Sequence, residues 1–166
     1  MFTNMRSRSL ALAAVAAVVG LGSHQALATS ATGTASATIL SQISVTQSTA
    51  MAFGSIAPNS AGGSVVLSPA GTISPVAGFV FSGSPAAGSF SVSGAVGQPV
   101  VVSYSTGDTL TGPGTAMPLG TFTNNAVPAT FPAGGNFTLN VGATLTVNAN
   151  QAAGAYAGNY TVTVNY

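Results

Sequence analysis

Asp108 is the one acidic side chain in this 166-residue sequence, and after residue 28 no Lys, Arg, His or Cys accompanies it. General acid–base catalysis needs a titratable group beside a partner. Serine and threonine are plentiful, but a hydroxyl nucleophile needs a base to activate it, and none is encoded. Zinc and iron–sulphur sites lack their ligands. Tight calcium sites collect several carboxylates. The glycine pairs have no following lysine and open no helix, so they make no phosphate loop. Phosphate contacts with nucleic acid draw on Lys and Arg. The residues therefore predict no enzyme, no cofactor, no metal and no nucleic-acid partner. Asp108 follows Gly107 in a turn sequence, where a short carboxylate accepting backbone amides is the ordinary use. Asn136-Phe137-Thr138 and Asn159-Tyr160-Thr161 match the glycosylation pattern, but both open strong strand patterns and are read as strand residues.

The elements that position these residues begin with a leader. Arg6 and Arg8 precede an apolar run from Leu10 to Leu21, followed by Ala26-Leu27-Ala28. That order is a secretory signal, with cleavage expected between Ala28 and Thr29 and an exported product. No later apolar stretch approaches the roughly 18 residues of a membrane helix. Residues 1–28 are thus read as signal, 29–40 as an amino-terminal extension and 41–166 as one domain, a length that buries a core without disulfides. Its polarity rests on hydroxyls, 19 Thr and 17 Ser after residue 28, so little charge opposes self-association.

All nine prolines and most glycines lie after residue 28, which excludes long helices almost everywhere. Period-two alternation recurs instead. Between Phe137 and Val147 every odd position is apolar, giving a long half-buried strand with a bend or bulge expected at Gly142. Tyr160, Val162, Val164 and Tyr166 alternate with Thr161, Thr163 and Asn165. Further strands are expected at 63–67, 76–81, 89–93, 100–105 and 119–123, and Thr34–Phe53 favours extended structure. Short strands separated by Gly/Pro turns indicate an all-β, antiparallel Greek-key β-sandwich. An outer-membrane barrel also ends on an aromatic strand, but the strands here are short and no loop carries Lys or Arg.

Two features exceed what a plain sandwich needs. Ala31, Gly33, Ala35, Ala37 and Ile39 alternate with hydroxyl residues ahead of the domain, a pattern that suits either a first strand or a strand inserted into a partner's groove. The last strand ends on Tyr166 without a tail, which suits either capture of its carboxylate and edge by a partner or a plain strand end.

The stretch Asn150 to Tyr166, with Ala152-Ala153-Gly154-Ala155-Tyr156-Ala157-Gly158-Asn159-Tyr160 at its centre, resembles the closing motif of a bacterial secreted family known as domain of unknown function forty-four hundred and two. Phe53-Gly54-Ser55-Ile56, Gly63 to Pro69, Phe90 to Gly94 and Gly142 to Leu145 resemble its other hallmarks. That family is similar to spore coat protein U and to the subunits of archaic chaperone-usher pili. The resemblance implies an immunoglobulin-like sandwich that is incomplete and is completed by a donor strand from a neighbour. Carried over, Ala31, Gly33, Ala35, Ala37 and Ile39 would be the donor, and Tyr160, Val162, Val164 and Tyr166 the acceptor edge and chaperone contact. The implied partners are copies of itself or related fibre subunits, a periplasmic chaperone and an outer-membrane usher, and the implied place is a cell-surface fibre. The donor positions are smaller than bulky apolar donors, which leaves open shallow pockets or a register shifted toward Ile39, Ile43 and Val45. The other reading is a soluble secreted binding module that presents Tyr104, Tyr156 or Asn-rich loops to a glycan.

Overall fold

The computed structural model describes residues 28–166, so the leader and all but the last residue of the expected signal lie outside the described residues. Residues 38–166 form one compact unit. Residues 28–37 carry no strand and are exposed. Ten strands follow one another with no helix among the described residues: β1 (Ser44–Thr49), β2 (Ser55–Ala57), β3 (Gly63–Leu67), β4 (Val80–Ser82), β5 (Gly88–Ser93), β6 (Val101–Tyr104), β7 (Asp108–Leu110), β8 (Met117–Asn124), β9 (Asn136–Val147) and β10 (Val162–Asn165). Every pairing is antiparallel. The chain is an antiparallel β-sandwich, as its alternation predicts.

The spine is β9, whose alternation puts Leu139, Val141, Ala143, Leu145 and Val147 in the core. One of its edges carries β5 along Asn136–Val141 and then β3 along Ala143–Val147, while the other carries β8. Gly142 lies at the seam between β5 and β3. A Cβ there would overlap the Leu67 carbonyl oxygen and crowd Ser68 and Pro69 as the chain leaves β3. The glycine therefore allows a close approach rather than a bend in its own strand. The bulge sits opposite, in β8 between Gly120 and Thr123, where Thr121 takes φ 47°.

Three other local expectations shift. The expected strand over 76–81 shortens to β4, because Gly78 at φ 76° turns the chain and the Phe79 amide donates to the Val76 carbonyl (3.1 Å). Asp108 opens β7 rather than closing a turn, and its carboxylate accepts the Ser105 hydroxyl (2.7 Å) instead of backbone amides. Within the extended stretch that precedes Phe53, only Ser44–Thr49 joins a sheet.

The first paired stretch of the domain is longer than β1 alone. β1 runs antiparallel to β5, Ala52 bridges Ala86, and β2 runs antiparallel to β4, so residues 44–57 lie beside residues 93–80 almost without interruption. The last stretch behaves likewise. β10 pairs β6, the Ser105 amide donates to the Thr161 carbonyl (3.0 Å), and Thr111 bridges Ala157.

The core has two halves. One gathers Val65, Leu67, Met117, Leu119, Leu145 and Val147 under Phe53 and Phe79. The other gathers Phe90, Val92, Phe131, Leu139, Val141 and Val164. Met51, Phe122 and Tyr160 pack against both. Phe131 is 1% exposed, and burying a ring of that size stabilises a fold by about 1.5–3 kcal/mol.

Candidate functional site

The site is a groove defined by pairing that stops short. The segment from β1 to β2 is bonded on the edge that faces β5 and β4, and the segment from Ala157 to β10 on the edge that faces β7 and β6. Among the described residues neither has a backbone partner on its other edge. These two open edges face each other across two openings in series. The first, about 570 Å³, lies between Leu40–Val45 and Val162–Tyr166. The second, about 850 Å³, lies between Met51–Pro58 and Gln151–Tyr160. Its floor is the core face of the large sheet, with Leu110, Met117, Leu119, Leu145 and Val147. Among the described residues, no ionisable side chain other than tyrosine lines either opening.

The four residues expected on the acceptor edge share one face, as their spacing requires. Val164 is buried, Val162 and Tyr160 partly so, and Tyr166 is 36% exposed. Tyr166 reaches across the first opening. Its hydroxyl donates to the Ser41 carbonyl and accepts the Ala95 amide (2.7 Å), while its ring meets Phe131 edge-on at 5.7 Å. Tyr160 stands at the join between the two core halves, stacked on Phe122 (5.2 Å) and edge-on to Phe90 (6.1 Å). Its hydroxyl is hidden against Gly88 without a hydrogen-bond partner. Burial pushes that hydroxyl up to about 12, and the nearby Tyr104 acts in the same direction.

The expected donor residues are placed differently. Ala31, Gly33, Ala35 and Ala37 are exposed and unpaired in sheet, and Ile39 is 91% exposed. Ile43 and Val45, toward which a shifted donor register would move, pack into this chain's own core.

The aromatic residues considered for a glycan platform are engaged internally. Tyr104 stacks on Phe122 at 5.3 Å and accepts a hydrogen bond from Asn124 (2.7 Å). Burial raises its pKa, and the Asn124 bond works against that rise. Tyr156 accepts the Gly114 amide (2.9 Å) and donates to the Ala152 carbonyl (2.8 Å). Gly112 and Gly114 lie beneath its ring and hydroxyl, where a Cβ would not fit. Sequence reasoning missed the first wall of the groove, Met51 to Pro58. Only the Phe53-Gly54-Ser55-Ile56 stretch hinted at it.

A family model described as Domain of unknown function (DUF4402) matches residues 43–166, a span that contains all ten strands. No curated protein and no solved structure matches the chain.

Proposed function

We propose that this chain, which belongs to the DUF4402 family, is a structural subunit of an extracellular fibre, assembled by inserting a strand of one subunit into the groove of another. The observation that carries the reading is the pair of facing strand edges without backbone partners above an apolar floor. Unpaired edges template a further strand, and a groove between two of them offers main-chain hydrogen bonds on both sides. The lining of the second opening is mostly apolar and carries no charge, which favours an uncharged occupant.

Export through the leader, escort of the open groove by a periplasmic chaperone and passage through an outer-membrane usher belong to the same proposal. A carrier would shield the groove before assembly, since an uncovered edge is an aggregation hazard. The paucity of charge suits a subunit that packs against others. Asp108, bonded to the Ser105 hydroxyl and with no titratable partner beside it among the described residues, suits a protein without catalysis.

The test is to recover the chain from exporting cells and examine it by size-exclusion chromatography and electron microscopy. Fibres or high-mass polymer, lost when residues 29–40 are deleted from every subunit expressed, are the expected result. A full chain that runs as a stable monomer and forms no fibres would overturn the proposal.

A further inference from the structure

Resting on the reading of the chain as a fibre subunit, we infer that Tyr166 is a clasp: its hydroxyl fixes the point where the amino-terminal extension leaves the domain, and so sets the length of the link between neighbouring subunits. The argument starts from how little else holds that root. β1 opens at Ser44, and Ile43 packs into the core. Ahead of them, Thr38 to Gln42 join no strand and, among the described residues, no backbone–backbone hydrogen bond. Ile39 is 91% exposed and Leu40 41%, so packing holds the root only weakly. Its one hydrogen bond among the described residues comes from the Tyr166 hydroxyl to the Ser41 carbonyl, 125 positions away.

Tyr166 itself is firmly seated. Its ring lies edge-on to Phe131 at 5.7 Å, and Phe131 is the bulkiest of the fully buried side chains among the described residues. The backbone of Phe131 is bonded in turn to Gly97 (2.9 Å) and Gln98 (2.8 Å). The Tyr166 hydroxyl uses both of its roles, donating its proton to Ser41 and accepting the Ala95 amide at 2.7 Å. A hydroxyl that accepts such a bond is polarised into a better donor. One oxygen thus joins three distant segments: the root of the extension, the loop after β5 and the end of β10. Without it, the first residue with a fixed backbone partner is Ser44, opposite Ser93. With it, the chain is fixed at Ser41, three residues earlier. Extended chain covers about 3.3–3.6 Å per residue, so the clasp takes about 10 Å of slack out of the link. A shorter tether leaves two joined domains fewer relative arrangements, which stiffens the fibre.

The experiment recovers the full exported chain, residues 29–166, as the parent, as Tyr166→Phe and as Tyr104→Phe, and treats each with chymotrypsin under native conditions. Leu40 is the one leucine or aromatic residue between positions 29 and 52, so cutting there reads the freedom of the root as loss of residues 29–40. Tyr166→Phe keeps the ring on Phe131 and loses both hydrogen bonds. Two such bonds shift an equilibrium by about tenfold or more, so cutting after Leu40 is expected to rise about tenfold. Tyr104→Phe also loses a tyrosyl bond, the one from Asn124 at 2.7 Å, but that bond does not involve the root, and this variant is expected to be cut at the parent rate. By electron microscopy, Tyr166→Phe fibres are expected to show a shorter persistence length than fibres of the other two. If Tyr166→Phe is cut no faster than the parent, or both variants are cut faster to the same degree, the hydroxyl is no clasp and the inference is overturned. If Tyr166→Phe is cut faster but its fibres are as stiff as the parent's, the root is held without setting the link, and the inference is overturned as well. If none of the three forms fibres, the fibre reading fails while the cutting rates still decide the clasp.

Discussion

Replacing Tyr160 by Phe is expected to stabilise the protein, against the usual direction of a core substitution. The Tyr160 oxygen is buried without a hydrogen-bond partner, the one such side-chain atom among the described residues. An unsatisfied buried polar group costs about 1–3 kcal/mol. Phe would keep the ring contacts with Phe122 at 5.2 Å and Phe90 at 6.1 Å and would leave no unsatisfied oxygen beside Gly88. The expected gain is therefore about 1–2 kcal/mol, at about 4 °C of melting temperature per kcal/mol for a domain of this size. Tyr104→Phe supplies the contrast. It removes an acceptor bonded to Asn124 at 2.7 Å and is expected to lower stability by about 1 kcal/mol. Denaturant titration of the two variants and the parent, compared at equal slope, reads both numbers. A Tyr160→Phe protein that is less stable than its parent by about 1 kcal/mol or more would show that the hydroxyl is satisfied, and would refute the account of how the two core halves join.

Stability is expected to stay level up to about pH 10, the ordinary tyrosine value, and then to fall toward pH 12. The folded-state value of Tyr160 is raised to about 12, so its contribution is complete below the unfolded value and is lost as pH rises through the folded one. Thermal melts across that range read the fall, which Tyr160→Phe should reduce. Gly142→Ala is expected to cost about 3 kcal/mol, because the new methyl meets the backbone of Leu67 and Ser68 rather than a movable side chain. Gly120→Ala, with nothing within 4 Å of the added atom, should stay within about 1 kcal/mol in the same denaturation assay. Phe131→Ala is expected to cost about 3–5 kcal/mol and to free Tyr166 from its edge-on contact, read by denaturation and by faster amide exchange in β10. Asp108→Asn keeps an acceptor for the Ser105 hydroxyl and should shift the denaturation midpoint by less than about 1 kcal/mol equivalent.

The strands that bury one face were legible because their side chains alternate strictly. From Phe137 to Val147 the odd residues point into the core as the pattern requires, and β3 and β5 fall where their Val and Phe spacing places them. Two of the three-residue strands escaped notice for a physical reason. Ser55-Ile56-Ala57 and Asp108-Thr109-Leu110 are too short to show a period, and their pairing is imposed by the longer strands before and after them. Gly142 was visible as an interruption, but its cause, the path of the chain leaving β3, is a tertiary fact. The inward face of Tyr160, Val162, Val164 and Tyr166 could be read from the sequence. The groove beside it could not, since it exists only where residues 40–58 and 151–166, distant in sequence, are brought to face each other.

The near-continuous pairing of residues 44–57 with 93–80 has a mechanical consequence. That stretch joins β5 at one end and β4 at the other, in two different sheets. A pull on the chain ahead of Ser44, directed along the strand, loads this ladder in shear: its hydrogen bonds share the tension and must fail together instead of opening one after another from an end. Forced unfolding is set by the unfolding rate rather than by equilibrium stability. Substitutions along 44–57 should therefore change the force at which the domain ruptures more than their effect on a melting curve would suggest.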